Sequence, residues 1–309
     1  MPGEDENRAV QSRRPDLLGS RLMLSTRSKV AGALNGVLRP LNLRVNSLTA
    51  QRSEERKSRA LARAGYFDAP AFPVLDCFRN SETSPLIDAL PRFSDRWDDL
   101  AVAERNQVGY SFDNGWFGSP DAEVAYAVVQ RYRPNCIVEV GCGNSTKLLR
   151  QAITDARLDT RLICVDPQPR SDVREFATHI FEREVQTLEC SELLSWVGPG
   201  DVLFIDSSHI VSRGSDVVYL LLNVLPRLRA GVLVHLHDIY LPYDYPPDVV
   251  AELRWSEQYL VQALLASTDQ YELLWAGHYI QRLRPDLHAW LELYSPDRRA
   301  SSLWLRKLG

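Results

Sequence analysis

Six histidines are spread over 309 residues, yet three of them fall in two short segments that each end an apolar run. One segment reads Phe204-Ile205-Asp206-Ser207-Ser208-His209, the other Val234-His235-Leu236-His237-Asp238-Ile239-Tyr240. Imidazole beside carboxylate can carry a proton near neutral pH, so His209, His237 and Asp238 are candidate catalytic residues, with a hydroxyl as the proton donor. The same types can hold a divalent cation through oxygen and nitrogen, and Asp206, His237 and Asp238 form that alternative set. His235 and His237 share strand parity and face the same side. His235 lies deeper in its run and reads as a satisfied core histidine or as a support for a neighbouring site residue.

A second group points to a nucleoside. Ile137-Val138-Glu139-Val140-Gly141-Cys142-Gly143-Asn144-Ser145-Thr146 is an apolar strand that ends on two glycines and a polar helix start. Arg161-Leu162-Ile163-Cys164-Val165-Asp166 is a further strand that ends on an acid. Glycines let backbone approach a ligand closely, and an acid at the second strand tip can take both ribose hydroxyls. Gly141, Gly143 and Asp166 are therefore candidate nucleoside-binding residues, and Glu139, Ser145 and Asp206 stand beside them at the strand ends as further candidates. A dinucleotide fingerprint would place a third glycine at position 146, where Thr146 stands. The plain alternative is a strand-turn-helix with glycine for positive φ.

Regular alternation must position both groups. Strands are predicted over 136–141, 161–166, 180–185, 201–206, 231–237 and 271–280, with a last short strand at 301–307. Helices are predicted over 145–156, 171–178, 190–196, 215–226 and 249–267. Strands alternating with helices imply a doubly wound, mostly parallel α/β sheet. Ligands in such sheets bind beyond the carboxyl ends of the strands, which gathers Asp206, His209, His237 and Asp238 beside the nucleoside pocket.

The motif around Glu139 and Asp166, with the strands that follow, resembles the class I S-adenosylmethionine-dependent methyltransferases over about residues 110–309. The resemblance implies a Rossmann-like seven-stranded sheet closed by a C-terminal hairpin, and S-adenosylmethionine as cofactor. It also implies Glu139 near the methionine end and Asp166 at the ribose. The chain departs from the fuller glycine pattern of that class at Ser145. Some O-methyltransferases of the class hold magnesium at the fourth and fifth strand ends through carboxylate and amide groups; here histidine replaces part of that set. Ser207-Ser208-His209, Gly214-Ser215-Asp216-Val217, Asp244-Tyr245-Pro246 and Trp255-Ser256-Glu257-Gln258-Tyr259-Leu260 resemble a bacterial subgroup common in envelope-polysaccharide and natural-product gene sets.

Acceptor contacts are expected from two aromatic loops. Tyr110 and Trp116 precede a helix starting near Pro120, either as a lid over the ligand or as a seal on the sheet. Tyr240 and Tyr245 lie in a loop stiffened by Pro242, Pro246 and Pro247, facing either a ligand or the interior. Glu257, at a helix start, is a ligand contact or a favourable first-turn charge.

Composition bounds the rest. Residues 1–65 form a basic, helical N-terminal extension, 66–119 a cap or lid subdomain, and 120–309 the cofactor-binding catalytic domain. Between residues 7 and 64 there are 13 Lys/Arg against 3 Asp/Glu, while the whole chain carries −4. The catalytic part is therefore acidic, which argues against a nucleic-acid substrate. Val30, Leu34, Val37, Leu38 and Leu41, beside Arg27, Lys29 and Arg39, suit a membrane surface, the catalytic domain itself or a second copy in a homo-oligomer. Residues 1–7 are acidic and polar, unlike a secretory signal. No apolar run reaches the ~18–20 residues of a membrane span. Five cysteines without a C-x-x-C pair point to a reducing, cytoplasmic setting.

The leading expectation is O-methylation of a small hydroxylated acceptor, a sugar or natural product, with a histidine base. One alternative is cyclisation of S-adenosylmethionine onto its own γ-carbon, releasing methylthioadenosine. Another is a non-catalytic nucleoside-binding scaffold.

Overall fold

A computed structural model describes residues 30–31, 33–41, 49–249, 255–290 and 298–309. Two compact units divide between Ala60 and Leu61. In the first, residues 33–38 are helical and tighten into a 3₁₀ turn, Arg39–Leu41, where Pro40 removes a backbone donor. Val30, Leu34, Val37 and Leu41 are exposed along it. Arg27 and Lys29, expected to flank this stripe, lie outside the described residues. The charged helix Thr49–Arg63 runs on across the boundary.

The second unit is built on a seven-stranded sheet in the order β3-β2-β1-β4-β5-β7-β6. Its strands are β1 Cys136–Val140, β2 Arg161–Val165, β3 His179–Phe181, β4 Val202–Ile205, β5 Leu233–Leu236, β6 Tyr271–Ala276 and β7 Leu303–Lys307. The first five run parallel, and β7 lies antiparallel between β5 and β6. β1, β4 and β5 are buried at every position, as parallel strands covered on both faces must be. The expected doubly wound sheet with its C-terminal hairpin is present.

The residues from 66 to 119 form short helices, Asp76–Ser81, Pro85–Ala89 and Trp97–Ala101, joined by 3₁₀ turns. Phe78, Leu86, Trp97, Tyr110 and Phe112 on this stretch belong to the same hydrophobic core as the strands.

Three local expectations are corrected. Residues 171–178 do not form a helix: one 3₁₀ turn, Ser171–Val173, is all that fits before Thr178 rejoins the sheet. There the Thr178 N–H donates to the Leu162 carbonyl at 2.7 Å and its hydroxyl accepts from the Leu162 N–H. The strand expected over 271–280 stops at Ala276, and its apolar run continues as the helix Gly277–Leu283. The helix expected from 249 is described from Glu257 to Ser267; residues 250–254 lie outside the described set. The 215–226 helix is continuous but loosens into a π turn, Leu220–Val224, before Pro226 ends it.

The carboxyl ends of β1, β2 and β4 are drawn together around Gly141. Its N–H donates to the Val165 carbonyl, and the Asp206 N–H donates to the Val140 carbonyl. Gly141 has φ +84°, and a Cβ there would lie 1.8 Å from the Asp206 carbonyl oxygen. Only glycine fits this junction.

Candidate active site

Two polar centres lie beyond the strand ends. The first surrounds Glu139, which is fully buried one residue before the end of β1. Ser145 donates to one carboxylate oxygen at 2.6 Å and Thr146 to the other at 2.7 Å. The Cys164 thiol, opposite on β2, adds a weaker donor at 3.5 Å. Burial dominates over these donors and pushes the Glu139 pKa up to about 7. Asp166, at the tip of β2, accepts from the Cys142 N–H at 2.8 Å and the Gln168 N–H at 2.7 Å. These bonds fix its carboxylate at the mouth of the glycine turn, where the side chain stays partly exposed.

The second centre joins β4 to β5. His209 Nε2 lies 3.4 Å from Asp206 and 3.3 Å from Asp238, while its Nδ1 meets Glu257 at 2.9 Å. His237 Nδ1 lies 3.6 Å from Asp206 and 3.5 Å from Asp238, and its Nε2 is 3.6 Å from Asp121. Burial alone would discharge both rings. For His209, hydrogen bonds to Asp206 and Glu257 and the charge of Asp238 outweigh it, and the pKa is pushed up to about 10. His237 is likewise held well above its ordinary value, chiefly by Asp206 and Asp238. Against the opposing effect of burial, the charges of both imidazoles hold the Asp206 carboxyl well below the usual range. His235 is different: burial, reinforced by the charge of His237, keeps it neutral. It stacks on Phe204 and bonds Ser302 at 2.9 Å, a packed core histidine.

Backbone conformation marks this second centre as well. His209 and Asp238 both hold φ near +58°, in the left-handed region that L-residues seldom occupy. Such conformations persist where surrounding contacts over-determine them. Here the His209 carbonyl accepts from the N–H groups of Ser256 and Glu257, so the turn before Glu257 is tied to the ring it supports.

Residues 138–239, from the Glu139 strand to the end of the β5 histidine segment, match the family described as a methyltransferase domain. That segment, about a third of the chain, carries a methyltransferase domain. No curated protein sequence matches it. Similar solved structures include the Podospora anserina methyltransferase PaMTH1 bound to SAH, at 15% identity and TM-score 0.41, covering 72% of this chain and 88% of that one. Cofactor-bound Rv0187 from MTB has 14% identity and TM-score 0.38, with 77% and 97% covered. MycE methyltransferase, from the mycinamycin biosynthetic pathway and in complex with Mg, SAH and mycinamycin VI, has 15% identity and TM-score 0.38, with 74% and 56% covered.

The fold brings all the expected polar residues of β4 and β5 together, and adds two that the sequence does not reveal. Asp121 begins the helix Asp121–Tyr132 and accepts from the backbone N–H groups of Ser301 and Ser302, at 2.8 and 3.0 Å. Ser301 Oγ then lies 3.3 Å from Asp238 and 3.5 Å from His237. In sequence, Asp121 reads only as a favourable first-turn charge, and nothing in Ser301-Ser302 signals a site. Glu257, expected at the acceptor, is buried and spends its carboxylate on His209. Ser145 spends its hydroxyl on Glu139.

The aromatic candidates separate. Tyr110 is buried and donates to the Phe117 carbonyl at 2.6 Å. Tyr240 and Tyr245 pack edge to face in a small buried cluster, and Tyr245 accepts from the Gln258 N–H. These three follow the inward alternative. Trp116 alone stands out, 72% exposed.

The residues also fit a cation. Ligand atoms of Asp206, His237 and Asp238 lie within 4.8 Å of one another, with the nearest separations at 3.5–3.6 Å. Two carboxylates and an imidazole suit manganese, iron, cobalt or zinc better than magnesium, which prefers an all-oxygen shell. Among the described residues there is no helix long and apolar enough to cross a membrane.

Proposed function

We propose that this chain is a class I S-adenosylmethionine-dependent methyltransferase, which transfers the methyl group to an oxygen of a small hydroxylated acceptor, a sugar or a natural product. Glu139, Gly141, Gly143, Ser145 and Asp166 form the cofactor side of the pocket, with Asp206 at its border. The acceptor hydroxyl lies against His209, His237 and Asp238. Its oxygen attacks the sulfonium methyl in line, the S–CH₃ bond breaks as the O–CH₃ bond forms, S-adenosylhomocysteine leaves, and the hydroxyl proton passes to the imidazole of His209 or His237, which must first have given up its own proton. Holding both partners in line supplies much of the acceleration.

The observation that carries this reading is the meeting of His209, His237, Asp206 and Asp238 directly beside the Gly141 turn. Asp121, Asp206, Asp238 and Glu257 surround the two imidazoles, so the centre favours positive charge, both the approaching sulfonium and a released proton. An imidazole held charged must lose its proton before it can accept another. A divalent cation bound by Asp206, His237 and Asp238 would stabilise the developing alkoxide and favour the unprotonated ring.

The test is incubation of purified protein and S-adenosylmethionine with a panel of sugars and hydroxylated natural products, read by mass spectrometry. One methyl gained by an acceptor, and lost in His237→Ala, is the expected result. Catalytic methylthioadenosine in the absence of acceptor would replace this reading with cyclisation. The cation is tested by the loss of transfer on chelation and its recovery with manganese or zinc.

A further inference from the structure

The loop before the 121–132 helix is built to hold one aromatic ring in solvent. The Asn114 amide oxygen accepts from the N–H groups of Trp116 and Phe117 at 2.9 and 2.8 Å, and its NH₂ donates to the Ser111 and Phe117 carbonyls. At Gly118 a Cβ would meet the Phe112 carbonyl at 2.6 Å, so the loop closes tightly on itself. Phe117 is driven into the core, 5.7 Å from Phe204 and 5.2 Å from His237. Trp116, its neighbour, is left 72% exposed, with the Arg170 guanidinium 4.9 Å from its ring centre.

These contacts place the loop across the pocket. Phe117 touches β4 and β5, whereas Arg170 belongs to the segment Pro167-Gln168-Pro169-Arg170 that leaves the tip of β2 just after Asp166. In sheet order, β1 lies between β2 and β4. Two adjacent residues therefore reach opposite sides of the crevice beyond Gly141. The indole leaves a π-face open to solvent at the rim of this crevice, a surface on which a planar ring can stack. The charge beside it selects the ligand: a guanidinium on the ring repels a sulfonium but tolerates a neutral heteroaromatic plane.

We propose that Trp116 and Arg170 form a clamp that closes on the purine of S-adenosylmethionine. This rests on the ribose lying at Asp166, as proposed above. The indole stacks on the adenine, and the guanidinium extends the same stack from the β2 side. The sulfonium lies at the other end, toward Asp206 and away from Arg170. Trp116 then sets nucleoside affinity rather than acceptor choice.

Calorimetry with S-adenosylhomocysteine and S-adenosylmethionine separates the outcomes, using wild type, Trp116→Ala, Trp116→Phe, Arg170→Ala and Asp166→Ala. The neutral and the sulfonium ligand share the purine and differ in charge at sulfur. Trp116→Ala should weaken both by the same factor, about tenfold, which is about 1.4 kcal/mol. Trp116→Phe should retain most of the affinity, and Arg170→Ala should lose less than Trp116→Ala. Because Trp116 is exposed, an unchanged melting temperature checks the fold. Unchanged affinity in Trp116→Ala overturns the clamp, and a larger loss for the sulfonium ligand than for the neutral one overturns the purine assignment. Full affinity in Asp166→Ala overturns the ribose placement itself.

Discussion

The Glu139 centre and the histidine centre both gather acids at strand ends, yet they solve opposite problems. Around Glu139 the partners are two hydroxyls and a thiol, all neutral, and burial raises the acid toward its protonated form. Around His209 and His237 the partners are charged, and Asp206 is held ionised by the rings it in turn keeps charged. The first arrangement suits a fixed receptor, whose geometry matters more than its charge. The second suits a place where charge moves. Backbone strain follows the same division, since His209 and Asp238 take left-handed conformations and Glu139 sits in regular strand.

The sharpest way to break that contrast is to remove charge from the second centre. Asp206→Asn leaves both imidazoles short of a shared counter-charge. Methyl transfer should fall by about 10³-fold or more, while S-adenosylhomocysteine affinity, measured by calorimetry, changes far less. Equal losses in transfer and in cofactor affinity would mean that the two centres act as one.

Gly141 joins the centres, so its substitution should damage both. Gly141→Ala combines a positive φ with a contact no side chain can make, and the clash is with backbone. Stability should drop by about 3 kcal/mol or more, read by denaturant melts. A stable variant that binds cofactor normally would show that β1 and β4 can separate without consequence.

Much of this organisation is legible in sequence, for reasons that differ by residue. β1, β2, β4 and β5 are predominantly apolar runs followed by glycine or polar residues, so both strands and strand tips stand out. Gly141 is visible as a breaker at a tip, and His209 and His237 as polar residues clustered where packing needs none. Asp121 and Ser301 are invisible because their contact joins positions 180 residues apart and depends on where β7 docks. Tyr240 and Tyr245 read as two-sided because proline stiffness fixes a loop without fixing its facing. The absent 171–178 helix shows tertiary pairing overriding local pattern: Thr178 is already committed to β2.

The receptor side makes a pH prediction. Glu139 has a folded pKa of about 7 against an ordinary 4.5, so folding favours its protonated form. Its contribution is full below pH 4.5 and is lost as pH rises through 7. Glu123, buried in the first turn of the 121–132 helix, is raised to about 7 by the same burial and adds to the same slope. Each should cost about 3 kcal/mol by pH 8. Glu139→Gln should remove its own share of the decline between pH 5 and 8, and adding Glu123→Gln should flatten most of the remainder. A slope unchanged in the double variant would mean that neither acid takes up a proton on folding.

The smallest expected effect tests whether Asp121 belongs to the charged centre or only to the fold. Its carboxylate has two tasks: it receives the Ser301 and Ser302 N–H groups at the start of β7, and it faces His237 Nε2. Asp121→Asn keeps a carbonyl for the backbone bonds but removes the charge beside the imidazole. If Asp121 orients and charges His237, kcat should fall about tenfold, about 1.4 kcal/mol, and the pH profile should shift toward the acid side. The direction follows from the sign of the interaction: an anion favours imidazolium, so removing it lets His237 lose its proton at lower pH. A purely structural Asp121 would lower the melting temperature and leave the pH profile in place. The two outcomes separate because backbone hydrogen bonds do not titrate and the His237 ring does.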